Sequence, residues 1–143
     1  MPLARTRPAE PVNENETGGH ERGTLTALLG ARFVEVGKDR LVAELSIRDD
    51  LLAVGGRVHG GTLISLADLV GATGIFLDLP SDATATTTLE SKTNFFAGAR
   101  GGLIRAEGTP IHRGKSTQVW QTRITDEAGR LLSLTIQTQM VLR

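Results

Sequence analysis

The sequence predicts an α+β fold in which an antiparallel sheet curls around one long central helix, and three observations predict it. The segment from Thr62 to Leu79 is apolar all round, the mark of a helix buried on most of its sides. Everything after Pro80 is dense in β-branched residues or alternates apolar with polar, and reads as four strands. Ahead of the helix, alternation on both sides of Gly37-Lys38-Asp39 marks a β-hairpin. With short turns between the strands, that element order is satisfied by a sheet that buries the helix against one face.

Taken in order, residues 1–22 are rich in Pro, Glu, Asn, Arg and Gly and carry no burial pattern, so they are expected to form a flexible tail ahead of a single domain at 23–143. "TLTALLGARF" offers a threonine cap, a short apolar turn and a glycine stop, hence a small helix from about Thr24 to Leu29. The hairpin "RFVEVGKDRLVAELSI" follows, and the loop "RDDLLAVGGRV" leads to the long helix, which Pro80 ends. The strands are "ATATTTLESKTNFF", "GGLIRAEGTPIH", "STQVWQTRITD" and, after the turn "EAG", "RLLSLTIQTQMVL".

At 143 residues the chain is long enough to bury a core without disulfides or metals. Sixteen basic residues balance sixteen acidic ones, so no electrostatic footprint for nucleic acid or an anionic membrane is visible. Without cysteine there is no disulfide framework, thiolate zinc site or cysteine nucleophile, which fits a cytoplasmic protein. The N-terminus lacks the apolar stretch of a secretory signal, and no later run is expected to reach the length that spans a bilayer. Three scattered histidines suggest no metal site.

The chemistry concentrates in "RVHGGTLISLADLVGATGIF". The first amides of a helix lack intrahelical partners and sit at the positive end of its dipole, so a carbonyl oxygen gaining negative charge is stabilised there. Gly60 and Gly61 occupy that position; they either make a tight turn into the helix or admit a substrate carbonyl close to the amides, as an oxyanion hole requires. Asp68 is a carboxylate on an otherwise apolar helix. It is either a hydrogen-bonded structural acid on a polar stripe with Thr62 and Ser65, or a general base or nucleophile. Gly60 and Asp68 are eight residues apart, roughly 12 Å along a straight helix. One chain cannot bring both to one carbonyl. Joint action therefore requires the helix start of one subunit to meet the helix middle of another, giving a symmetric dimer with two sites.

"VHGGTLISLADLVGATG", "TNFFAGARGGLIRAEG" and "IHRGKSTQVWQTRITDEAGRLLS" resemble the hotdog-fold acyl-CoA thioesterases, specifically the phenylacetate-pathway type close to the Arthrobacter-type 4-hydroxybenzoyl-CoA thioesterases. The most specific part is His-Gly-Gly with an acid nine residues after the histidine. The resemblance implies a helix wrapped by an antiparallel sheet and dimers that pair into homotetramers. It implies that Asp68 attacks the thioester or activates a water, that the Gly60 amide polarises the carbonyl, and that His59 shapes the loop and hydrogen-bonds near the carbonyl. Thr88 aligns with a hydroxyl that positions the hydrolytic water in some members. Related enzymes often carry Asn or Gln six residues before the histidine; here that residue is Ala53, so one side-chain donor is missing.

"IHRGKST" resembles the family's coenzyme A site, making Arg113, Lys115 and Ser116 candidates for the phosphates with His112 packing nearby, and Arg57 and Arg100 looser candidates. The same residues also read as an ordinary Gly-Lys turn with solvated charges. No cofactor is implied beyond the coenzyme A of the substrate. The resemblance favours aryl or arylacetyl thioesters, with the pocket shaped by whichever of Leu51, Leu52, Phe76, Phe95 and Phe96 line it. Two other functions fit the fold: a hotdog enoyl-thioester hydratase, which the "HGG…LAD" spacing disfavours, and a non-catalytic acyl-CoA sensor, which Ala53 favours.

Overall fold

The computed structural model describes residues 23–143, so the tail expected at 1–22 lies outside the described residues. Helix α1 (Leu25–Leu29) starts where the Thr24 side chain accepts the Ala27 N–H and stops at Gly30, whose φ of 71° is the left-handed conformation that glycine adopts without strain. Strands β1 (Arg32–Val36) and β2 (Leu41–Ser46) form the hairpin. After a 3-10 turn at Asp49–Leu51 come α2 (Gly60–Leu77) and strands β3 (Ala85–Phe95), β4 (Leu103–Arg113), β5 (Thr117–Asp126) and β6 (Leu131–Leu142).

The six strands form one antiparallel sheet in the order β1-β2-β4-β5-β6-β3, and α2 lies on its inner face, chiefly against β4 and β5. The hotdog architecture expected from the sequence is the one observed. Leu63, Leu66, Ala67 and Val70 of the helix are buried with Ile104, Ala106, Trp120, Ile124 and Leu132 of the strands. Helix and sheet approach closely because two glycines carry no side chain. A Cβ on Gly108 would lie 2.6 Å from Val70 Cγ1, and one on Gly74 would lie 2.5 Å from the Trp120 ring.

Two details differ from the sequence expectations. The long helix runs from Gly60 to Leu77, not Thr62 to Leu79. His59 caps it two residues earlier, and at the other end the Asp78 N–H bonds back to Ile75 and Phe76 before Pro80 excludes further helix. Its 18 residues are also long and apolar enough by composition to cross a bilayer, contrary to the expectation that no run reaches that length. Half of it is buried within the chain instead, because its apolar surface is used against the sheet.

Strand β6 inverts the usual alternation. Ser133, Thr135, Gln137 and Gln139 are buried on the helix side, while Ile136, Met140 and Leu142 face outward. Hydroxyls of β3 answer these polar groups: Thr93 meets Thr135 at 2.7 Å, and Thr86 donates to Gln139 at 2.8 Å. Strand β3 pairs only with β6 among the described residues, leaving its other edge open.

Candidate active site

The helix start is fixed from both sides. The His59 N–H donates to the Leu51 carbonyl at 2.9 Å, the Val58 N–H to Ala99 at 2.8 Å, and the Thr62 hydroxyl to Leu51 at 3.1 Å. His59 then closes the first turn: its Nδ1 accepts the Gly61 N–H at 2.8 Å, and its carbonyl accepts from Thr62 and Leu63. In a neutral imidazole this bond assigns the proton to Nε2, a donor. Gly61, expected beside the substrate, thus has its amide occupied by the cap. Gly60 carries the one amide of this turn without a partner among the described residues. A Cβ on Gly61 would lie 2.9 Å from His59 Nδ1, and one on Gly60 would lie 3.3 Å from Phe95 Cζ. The cap requires the first glycine-sized gap, and the Phe95 ring walls the second.

Asp68 sits in a cleft of about 220 Å³ between α1, α2 and β3, with Leu25, Ile64 and Leu69 as apolar walls and Thr26, Ser65 and Ser91 supplying hydroxyls. In the single chain Asp68 is exposed at the mouth of this cleft, so its carboxylate is only partly desolvated. Desolvation by these walls raises its pKa above the ordinary carboxylate range, and a hydrogen bond from Gln137 Nε2 to Oδ1 at 2.8 Å works in the opposite direction. Burial wins. The stripe partner Thr62 is buried and bonded to Leu51 rather than to Asp68, whereas Ser65 shares the cleft.

Thr88 pairs with Gln139 across the β3–β6 ladder, while Ser91 pairs with Gln137 and lines the Asp68 cleft. Within one chain, the β3 hydroxyl beside Asp68 is therefore Ser91. The sequence alone marks neither Ser91 nor Gln137. "TTTLES" offers hydroxyls at almost every position, with a bulge between Thr88 and Glu90 that sequence does not reveal. In "LTIQTQMVL" the apolar residues, not the glutamines, would be assigned inward.

Ala53 lies in the loop just before the helix start, its backbone N–H donated to Arg57 O at 2.7 Å and its carbonyl accepting from Gly56. It brings no side-chain donor. Arg100 donates to Gly55 O at 2.9 Å, and the Arg57 side chain lies over Gly98. Phe95 reaches Gly60, and Phe76 is exposed near the far end of the helix. Among the described residues, no group of three His, Cys, Asp or Glu is placed to hold a metal ion.

This pair on one helix, a helix-start amide without a partner among the described residues and a partly desolvated carboxylate, lies within the region that matches the thioesterase superfamily, residues 55–133. The chain belongs to the thioesterase superfamily. Thioester hydrolase is the enzyme class that comes with membership. A 1,4-dihydroxy-2-naphthoyl-CoA hydrolase of Listeria monocytogenes is 34% identical over 110 residues, 77% of this chain and 89% of that one. A mutant thioesterase from Pseudomonas aeruginosa superposes with a TM-score of 0.84 at 25% identity, covering 93% of this chain and 96% of that one. The PaaI protein of the Escherichia coli phenylacetic acid degradation operon, at 21% identity and a TM-score of 0.74 over 82% of this chain and 83% of its own, shares the fold.

In this superfamily member Arg113, Lys115 and Ser116, candidates for coenzyme A, lie toward the opposite end of α2, whose last residue is about 26 Å from Gly60 along the helix, whereas Arg57 and Arg100 sit by the loop next to Gly60. Arg113 is engaged within the chain: it pairs with Asp78 at 2.5 Å and Asp39 at 2.8 Å, donates to the Lys38 carbonyl, and lies 5.7 Å from the Trp120 ring centroid. It clamps the hairpin turn to the end of the helix. Lys115 and Ser116 are exposed in the β4–β5 turn, with His112 beside it.

Proposed function

We propose that the protein hydrolyses acyl-CoA thioesters with an aryl or arylacetyl acyl group at sites shared between two copies of the chain. The observation that carries this reading is the pairing, on one helix, of an amide at Gly60 with no partner among the described residues and a partly desolvated carboxylate at Asp68. The thioester carbonyl oxygen would rest on the Gly60 amide of one copy. Asp68 of the other attacks the carbonyl carbon, or takes a proton from the water that does. Either route breaks the carbon–sulfur bond, releases coenzyme A as thiolate and consumes one water, giving the free acid.

An antiparallel pairing that sets Gly60 of one helix level with Asp68 of the other brings the two Ile64 side chains together at the two-fold axis. It also sets Phe76 level with the other chain's loop at Leu52–Val54. Ile64 is 40% exposed, Phe76 59% and Val54 108% in the single chain, an apolar series that such a dimer would cover. The open β3 edge adjoins this face. Outward-facing Ile136, Met140 and Leu142 support the association of two dimers into a homotetramer.

The aryl preference draws on the naphthoyl-CoA substrate in the name of the Listeria relative. The phenylacetate-type assignment rests on the motif resemblance. Coenzyme A phosphates would be met by Lys115 and Ser116 rather than Arg113, whose guanidinium is already paired. The cytoplasm, where coenzyme A thioesters are made, is the corresponding place of work.

The test is thiol release from phenylacetyl-, 4-hydroxybenzoyl-, hexanoyl- and crotonyl-CoA by the native protein and by Asp68→Asn. Hydrolysis of the aryl substrates that the substitution abolishes, with the oligomer intact, is expected. Tight acyl-CoA binding with no thiol release would instead indicate a sensor, with Ala53 as the reason.

A further inference from the structure

Gln137 is 1% exposed and presses its amide against α2 at Gly71, where an added Cβ would lie 2.4 Å from Gln137 Oε1. Its Nε2 donates to Asp68 at 2.8 Å, yet its Oε1 is buried with no donor among the described residues. Gly71 makes room for the glutamine, but the unpaired oxygen does not serve stability. A buried carbonyl oxygen without a partner is costly, and glycine inside a helix is less stable than alanine. Leucine or methionine at 137 would remove the unpaired oxygen at similar volume. What the glutamine supplies that those residues lack is one N–H aimed at Asp68.

We propose that Gln137 is the positioning residue of the Asp68 carboxylate, holding it in one orientation toward the thioester carbon. This rests on the reading of Asp68 as the reacting group. Gln137 approaches from the sheet side, so the second carboxylate oxygen is left facing the cleft. A neutral N–H donor also favours the anion over the acid, which a nucleophile or base requires. Among the described residues no other group donates to Asp68. From α1 the cleft receives Leu25, Thr26 and Leu29, from α2 Ile64, Ser65 and Leu69, and from β3 Ser91, none of them ionisable. Glu90 and Lys92 flank Ser91 and, by strand alternation, take the opposite face of β3. In the proposed dimer the approaching helix start adds one titratable group, His59.

The experiment compares the native chain with Gln137→Met and Gln137→Glu by two readouts: kcat/KM for an aryl-CoA thioester against pH, and the titration of the Asp68 carboxyl carbon by NMR. In Gln137→Met the acid limb and the Asp68 midpoint should both rise by about one to two pH units, with thermal stability equal or higher. Gln137→Glu keeps the shape but faces Asp68 with a second carboxyl, and should raise the midpoint further; it provides the readout if the methionine variant fails to fold. An Asp68 midpoint unchanged in the folded variants overturns the proposal, even where activity falls. If the native protein releases no thiol, the functional reading fails on its own, and the NMR titration still decides whether Gln137 governs Asp68.

Discussion

The six-membered ring of Trp120 lies against the helix at Gly74, so close that a Cβ there would stand 2.5 Å from Cζ3. Trp120 is 1% exposed and bonded through its Nε1 to Gln118, so the ring has nowhere to withdraw. Gly74→Ala gains about 1 kcal/mol of helix propensity but forces an overpacking cost of about 1–3 kcal/mol. The variant should therefore be less stable in denaturant titration. A higher midpoint would show that helix and sheet can separate without loss.

Asp68→Asn should stabilise the folded protein at neutral pH while removing its activity. The carboxyl's folded pKa is raised, first by desolvation, so the folded state holds the proton more tightly than the unfolded chain. Stability associated with Asp68 is thus fully present below the ordinary carboxylate range and lost as pH rises through the raised value. Asparagine escapes that loss. Thermal melts of the two proteins should differ at neutral pH and converge in acid; a gap that persists unchanged in acid would place its origin elsewhere.

Gly60→Pro isolates the amide. Proline is favoured in the first helical position because its missing N–H has no intrahelical partner. His59 already holds φ −67° and ψ 139°, the region that a residue before proline prefers. The Phe95 ring, 3.3 Å from an added Cβ, must yield slightly. The fold should survive while kcat falls on the order of 10²-fold, the usual effect of losing one oxyanion donor. Unimpaired turnover would remove Gly60 from the mechanism.

Ile64→Glu should separate the proposed dimer, because the two-fold axis would set two carboxylates against each other in an apolar contact. Sedimentation velocity should show a folded monomer, and hydrolysis should disappear because neither half-site is complete. Activity in a monomer would refute the shared site.

Arg113→Gln should lower stability by about 1–3 kcal/mol by releasing Asp39, Asp78 and the Trp120 ring together, with the KM for acyl-CoA unchanged. Lys115→Ala should do the reverse, raising KM severalfold and leaving the melting curve in place. A KM effect from Arg113 alone would restore it to the coenzyme A site.

Element order, the hotdog plan and the spacing of Gly60 from Asp68 on one helix are legible in the amino-acid sequence. Apolar surface on all sides of one helix, followed by β-branched strands, leaves little choice but to wrap the helix in sheet. The eight residues between Gly60 and Asp68 fix their separation through helix rise alone, before any packing is known. Which groups stand beside them depends on how distant elements pack. Gln137 and Ser91 reach the Asp68 cleft through strand register, and a shift of one residue would turn each to the opposite face. The same holds for Arg113, whose charge reads identically in sequence whether it awaits a phosphate or, as here, is paired with the carboxylates of Asp39 and Asp78 brought to it by distant elements. Local pattern sets which face an element must bury; which polar group meets which across that face depends on contacts between residues far apart in the chain.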